Sequence, residues 1–305
     1  MFRQPVLFFC AALVCCAAVR GAQADDVAIL LSSEIIPYTA CRDGIREHLA
    51  DISLFTTTIG DDITRGRAAM EEIRRANPRV TIAVGPQAAF VLAQERTAGG
   101  RLFCMILNPQ RLLSTAGMFP GVSLNIAPDF QMRTIRRAFP DRTRVGIFYS
   151  TAVNQETVDG LRAAADAVGL AVVPLPIVSA QDIPGRLTAP EPVCDLLLII
   201  PDEKLGSTKI VEYIIKEALR RKLPVVGYNS WFARNGAVLS FVVDYKGVGR
   251  QTAALARRLL SGAAVPAATI LPPEAVAVSV DLKTAEKIGV HLSAEIIGTA
   301  GEVQR

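Results

Sequence analysis

An alternation constrains this chain more than any other feature. From Asp25 onward, short β-branched or apolar runs take turns with longer segments whose apolar residues recur at helical spacing. A strand that must cross back through a helix pairs parallel to the strand before it, so the pattern requires parallel sheets covered by helices. Strands are expected at 27–31, 52–57, 80–84 and 102–107. After a pause over 108–127 they resume at 144–149, 170–175, 196–200, 225–227, 238–243 and 275–280. Helices are expected at 38–50, from Asp61 or Asp62 to 76, and at 87–97, 128–139, 154–168, 207–221 and 246–261. A short one is capped by Ser179 with Asp182, and another follows Asp281. The result is two successive α/β units of similar size without residue-level repetition, in keeping with about two domains for 305 residues.

The first 24 residues stand outside this pattern. One Arg within 1–4, an apolar run over 6–19 and the triplet Ala22-Gln23-Ala24 predict a secretory signal peptide cleaved before Asp25. The run is shorter than the roughly 18 residues of a spanning helix, and no later run approaches that length. Lipid attachment at Cys15 or Cys16 is disfavoured, because Val14 or Cys15 stands where such signals carry a small residue. Loss of Arg3 and Arg20 takes the formal charge from +4 to +2, and loss of Cys10, Cys15 and Cys16 takes six cysteines to three. An odd number leaves at least one thiol free, and the apolar neighbours of Cys104 and Cys194 predict buried, inert thiols. Nearly balanced, interspersed charges exclude a nucleic-acid binder that works by neutralising phosphates. With 50% apolar and 20% charged residues, the chain also lies far from intrinsic disorder.

Parallel sheets bind ligands beyond the carboxyl ends of their strands, where helix N-termini and free amides converge. In the first unit this edge carries Ser32, Ser33, Glu34, Tyr38, Gly85, Pro86, Gln87 and Asn108. In the second it carries Tyr149, Ser150, Asn154, Asp202, Glu203, Tyr228, Asn229, Trp231 and Asp244. Each has an ordinary use as a cap or turn residue, so candidacy rests on both units offering such groups on the edge they would share. Trp231 and Tyr228 could stack on a ligand ring or cover the core. No nucleophile elbow, phosphate loop or zinc-protease motif occurs. With only His48 and His291, a His-based metal site or a Ser-His triad is not expected. Neither cofactor nor metal is implied, and an exported, catalytically bare α/β chain of two units points to a binding protein.

The segments VAILLS, TACRDGIREHL, TIAVGPQAAFVLAQE, ILNPQ, FPGVSLNI, RTRVGIFYS, LLIIPDEKLGS, LPVVGYNSWFARNGAV and VDYKGVGRQTAALARRLLSG, in that order, resemble ABC transporter substrate-binding proteins of the tryptophan-binding type. The resemblance covers 27–293. It implies a type I periplasmic binding fold: two doubly wound parallel-sheet lobes joined by a hinge, one from 25–121 plus 243–270, the other from 122–242 plus 271–305. It implies a monomer that encloses a small solute, amino-acid-like or another small organic molecule, and delivers it to an ABC permease in the membrane. A sensory module serving a kinase or chemoreceptor is the alternative, and an exported enzyme using Glu34, Asp202 and Asp244 is the third. The family's binding patches fall on Gly85, Pro86, Gln87 and Ala88, on Asn108-Pro109, on Tyr149 with Asn154, on Asp202 with Ser207 and on Asp244 with Gly249. Many members have Asp-Pro where this chain has Asn108-Pro109, which removes a charge partner for a ligand ammonium.

Overall fold

The computed structural model describes residues 25–60, 63–95, 99–114, 116–187 and 193–304. The expected signal peptide, and the cap expected at Asp61 or Asp62, lie outside them. The chain begins β1 (Val27–Leu31), α1 (Ile36–His48), β2 (Leu54–Thr58), α2 (Ile63–Ala76), β3 (Val80–Val84), α3 (Pro86–Gln94), β4 (Gly100–Ile106), α4 (Pro109–Leu113) and β5 (Gly121–Ser123). It continues with α5 (Pro128–Ala138), β6 (Arg144–Tyr149), α6 (Thr151–Asp166), β7 (Ala171–Pro176), α7 (Asp182–Leu187), β8 (Leu196–Leu198), α8 (Thr208–Arg220), β9 (Val225–Gly227), α9 (Ser230–Arg234) and β10 (Leu239–Val243). It closes with α10 (Tyr245–Leu260), β11 (Ile270–Leu271), β12 (Val276–Asp281), α11 (Leu282–Lys287), α12 (Ala294–Thr299) and β13 (Glu302–Gln304).

Two sheets result. The first runs β11-β5-β4-β3-β1-β2, and the second runs β13-β12-β10-β9-β8-β6-β7. Both wind their first five strands in the order 2-1-3-4-5, so each has a switch point where successive crossovers leave in opposite directions: β1/β3 in the first lobe, β6/β8 in the second. All pairings are parallel except β10 with β12. The chain passes between the lobes three times, after β5, after β10 and after β11.

Strands buried on both faces explain the unbroken apolar runs. Ile29 and Leu31 pack beneath Cys41 and Ile45 of α1, whereas Ala28 and Leu30 pack beneath Met70 and Ile73 of α2. Proline stands in the first turn of α1, α3, α4 and α5, each starting just beyond a strand of the first sheet. There its missing N–H removes a donor that would have no partner in the helix. Helices α1 and α10 cross at backbone contact. A Cβ on Gly44 would meet the Lys246 carbonyl oxygen, and one on Gly249 would meet that of Cys41, each at 2.1 Å.

Six elements escape the sequence pattern, the six-residue α12 among them. The pause at 108–127 contains α4 and β5, and β11, α9 and β13 are equally short. Strands of two or three residues show no alternation, and a single-turn helix has no periodicity to read.

Candidate ligand-binding site

Between the lobes, at the carboxyl edges of both sheets, lies a cavity of about 340 Å³. The first lobe supplies Leu107, Asn108, Gln110 and Arg111 after β4 and Leu124 to Ile126 after β5. The second supplies Val153, Asn154, Glu156, Thr157, Gly160 and Leu161 of α6, Ile199 to Pro201 after β8, and Tyr228 with Asn229 after β9. Pro128, Gln131, Val243 and Tyr245 close it where the chain crosses between lobes. Apolar walls with a few convergent polar groups are the usual make-up of a small-molecule site.

The first-lobe wall is built by an irregular strand end. Met105, buried within β4, has φ +61, and the β4–β5 register shifts between Cys104 and Ile106. A bulge of this kind re-aims the residues that follow it. Asn108 then takes the left-handed conformation, φ 50 and ψ 55, which Asn tolerates better than most side chains. Its backbone N–H donates to Asn125 Oδ1 at 3.0 Å, fixing the two amides against each other. The Asn108 side chain and Asn125 Nδ2 have no hydrogen-bond partner among the described residues and are available to a ligand.

Much of the second-lobe wall is internally satisfied around Asp202. Asn154 interrupts helical geometry within α6, φ −120 and ψ 15, and turns toward the β8 loop. There its Nδ2 donates to the Pro201 carbonyl at 3.0 Å and to Asp202 Oδ2 at 2.7 Å. Asp202 also accepts from the Ser150 N–H at 2.7 Å and from the Lys204 N–H at 2.8 Å, capping the 3-10 turn Glu203–Leu205. Asn229 caps α9 by accepting from Trp231 N–H at 2.9 Å. Burial pushes the Tyr228 and Tyr245 phenols above their ordinary values, so both remain neutral O–H groups at physiological pH.

Of the residues expected at the site, Asn108, Asn154, Tyr228 and Asn229 line the cavity. Ser32, Tyr38, Gly85 and Pro86 gather instead at the β1/β3 switch point. Ser32 Oγ accepts from the Ala88 N–H at 3.0 Å, and a Cβ on Gly85, φ 94, would strike Ser32 and Tyr38. Ser33 and the exposed Gln87 flank that group without lining the cavity. Tyr149 donates to Gln155 at 3.1 Å, Asp244 pairs with Arg250 at 2.9 Å, and Asp202 stands behind Asn154. Glu34 binds Arg42 and Thr58, so the three carboxylates of the enzyme alternative do not converge in the cavity. Trp231 packs edge-on to Phe232, centroids 5.2 Å apart, over the second lobe's core.

Sequence reasoning passed over Asn125, Arg111, Glu156, Gln131 and Tyr245. Asn125 and Arg111 fall in the supposed pause, where recognising β5 as a strand would have placed Asn125 on the ligand edge and recognising the short α4 beyond β4 would have placed Arg111 there. Arg111 reaches across the cleft to Glu203 of the opposite lobe at 3.1 Å. That hydrogen bond, with the nearby positive charges of Arg111 and Lys204, holds the Glu203 carboxyl below the usual range despite partial desolvation. Glu156 has no ion pair among the described residues. No group of three or more His, Cys, Asp or Glu among the described residues could hold a metal, and no helix among them is long and apolar enough to cross a membrane.

A sequence model of the family described as ABC transporter substrate binding protein matches residues 110–304. Among solved structures, the chain is similar to an ABC domain in complex with L-Trp from Streptococcus pneumonia. That match has 17% identity and TM-score 0.64 and covers 92% of this chain and 100% of that one. It is similar to a ligand-free, open substrate-binding protein with adhesive properties from Clostridium difficile at 17% identity and TM-score 0.74, covering 92% and 99%. A periplasmic ribose ABC transporter from Conexibacter woesei matches at 10% identity and TM-score 0.58, covering 87% and 94%. No curated protein matches the chain. These likenesses establish the type I periplasmic binding fold of two parallel-sheet lobes.

Proposed function

The chain belongs to the ABC transporter substrate-binding proteins, and from that premise we propose that it is exported, encloses a small organic solute between its lobes and presents the closed form to an ABC permease. The observation that carries this reading is the cavity itself, which takes side chains from both lobes and from the segments that cross between them. A solute touching both walls is bound better by the closed arrangement than by the open one, so it shifts the population toward closure. The Asn108 side-chain amide then acts as donor and acceptor and Asn125 Nδ2 as a donor, while Asn154, Tyr228 and Asn229 shape the opposite wall. Tyr228 and Tyr245 add neutral phenolic donors.

Among the described residues the cavity carries one cation, Arg111, and one anion, Glu156, on opposite lobes. A solute with one negative and one positive end would bridge them, so Glu156 supplies the ammonium partner that Asn108, as an amide, does not. Ser32, Ser33, Tyr38, Gly85, Pro86 and Gln87 lie on the same sheet edge and are proposed as outer contacts that closure brings to the solute. Tyr149, Asp202 and Asp244 act through their neighbours rather than by touching it. Residue by residue, the proposed arrangement is that of a monomeric receptor without a cofactor.

Native mass spectrometry of the freshly purified chain, with a thermal-shift screen of small zwitterionic and neutral polar solutes, tests the reading. A bound small molecule, or a solute class that raises the melting temperature in proportion to the logarithm of its concentration, is the expected result. The Gly160→Phe variant, which fills the cavity from α6, should abolish that response. A Gly160→Phe protein that responds like the parent would place binding elsewhere.

A further inference from the structure

Beneath the first-lobe wall lies a feature that ligand capture does not use. Cys41 of α1 and Cys104 of β4 are both fully buried, and their Sγ atoms are 3.5 Å apart. The contact joins residues 63 positions apart in sequence and lies one residue below the irregular Met105. The Gly85 N–H donates to the Cys104 carbonyl at 2.9 Å, and Tyr38, half-buried, packs against the same core beside Gly85. Cys194, the remaining cysteine of the described residues, sits in the second lobe's core against Gly146 and cannot reach either sulfur.

We propose that Cys41 and Cys104 are a disulfide-forming pair, closed by a disulfide oxidant while the first lobe folds, so that α1 is covalently tied to β4. A disulfide needs the sulfurs at about 2.05 Å, so the two side chains together close roughly 1.5 Å, a movement that small χ1 rotations share between them. The reaction balances with a disulfide as oxidant. One cysteine thiolate attacks an oxidant sulfur and releases one thiol. The second cysteine, giving up its proton, then displaces the other oxidant sulfur, so two electrons and two protons end on the two thiols of the reduced oxidant. Timing follows from burial. In the folded lobe neither sulfur meets solvent, and desolvation followed by the Cys104 contact pushes the Cys41 thiol well above its ordinary value, so the thiolate exists only before α1 docks. Whether the pair meets an oxidant in the cell rests on the export reading, because such bonds persist in oxidising compartments.

The test begins with the full chain refolded in a mixture of oxidised and reduced glutathione, then unfolded under alkylation and mapped by peptide mass. The expected result is a Cys41–Cys104 cross-linked peptide with Cys194 alkylated. Equal alkylation of Cys41, Cys104 and Cys194 overturns the proposal. Reduction of the linked protein should lower its melting temperature by about 5–10 °C, the range for a closed loop of this length in a chain of this size. The Cys41→Ala variant should show no response to reductant. Because mapping of the parent chain needs no substitution, the proposal stays testable if that variant fails to fold. A chain that acquires the link on refolding, but carries free thiols when taken from the cell under an alkylating quench, supports the pairing and overturns export instead.

Discussion

At the switch point of the first lobe, between β1 and β3, the crevice holds a hydroxyl, a phenol and a glycine: Ser32, Tyr38 and Gly85. At the equivalent place in the second lobe, between β6 and β8, it holds the Asp202 carboxylate, which takes three donors from Ser150, Asn154 and Lys204. The strand orders are the same, yet one crevice is closed by packing and the other by a polar network. The lesson is that topology selects an edge, whereas local chemistry decides which part of it stays open. In both lobes the open part lies toward the crossing segments, past β4 and β5 on one side and between α6, β8 and β9 on the other.

The same contrast governs how each lobe should respond to substitution. The largest effect is expected where helices touch. Gly249→Ala drives a methyl into the Cys41 carbonyl oxygen, and since backbone cannot yield as a side chain can, it should cost about 3 kcal/mol in denaturant unfolding. Tolerance of this change would show that α1 and α10 can separate. Asp202→Ala leaves the Ser150 and Lys204 N–H groups without their acceptor and the Asn154 amide with Pro201 alone, so a loss of about 2–3 kcal/mol of stability is expected from calorimetry. A drop in affinity with unchanged melting would instead make Asp202 a direct contact. Asn108→Gly reverses that profile. Glycine keeps the left-handed backbone, so melting should barely move, while affinity measured by titration calorimetry falls by about 1–3 kcal/mol.

Smaller effects sharpen the comparison further. Gly160→Ala sits inside α6, where a Cβ would make only ordinary contact with Pro128 at 3.7 Å. It should therefore stabilise the protein by about 0.5–1 kcal/mol in the same denaturant assay that penalises Gly249→Ala. The smallest effect belongs to Arg111 and Glu203, an exposed pair across the cleft. Glu203→Gln should alter ligand affinity a few-fold at most. Because the Glu203 carboxyl is held below its ordinary value, the pairing is fully present above that value and is lost as pH falls through the lowered one. Affinity of the parent and Glu203→Gln proteins measured down a pH series should converge at the acid end. Parallel curves would show that the pair does not couple to binding.

Much of this was legible in the chain. Val27–Leu31 and Val80–Val84 announce strands buried on both faces because every residue in them is apolar or small, and both are observed with those bounds. Asn108 and Asn154 were readable as edge residues because a strand and a helix start bracket each of them. Asn125 was not, because the three residues of β5 form a strand only by pairing with β4 and β11, partners distant in sequence. Asp202 presents the opposite difficulty. Its type and position suit a ligand contact, and only the position of Ser150, 52 residues away, shows that its acceptors are already occupied. Glu156 carries no signal at all, since a carboxylate in the second turn of a helix reads as solvent-facing until the opposite lobe is in place.

The three passages between lobes also fix an order of events. The core of the second lobe, β6 to β10 with its helices, comes from one unbroken stretch of chain, whereas the first lobe lacks α10 and β11 until residue 271 is available. Contacts that are local in sequence form sooner than distant ones. For a polypeptide emerging amino end first, the face of the first lobe that packs against α10 therefore stays uncovered while β6 to β10 assemble, and the second sheet in turn waits for β12 and β13.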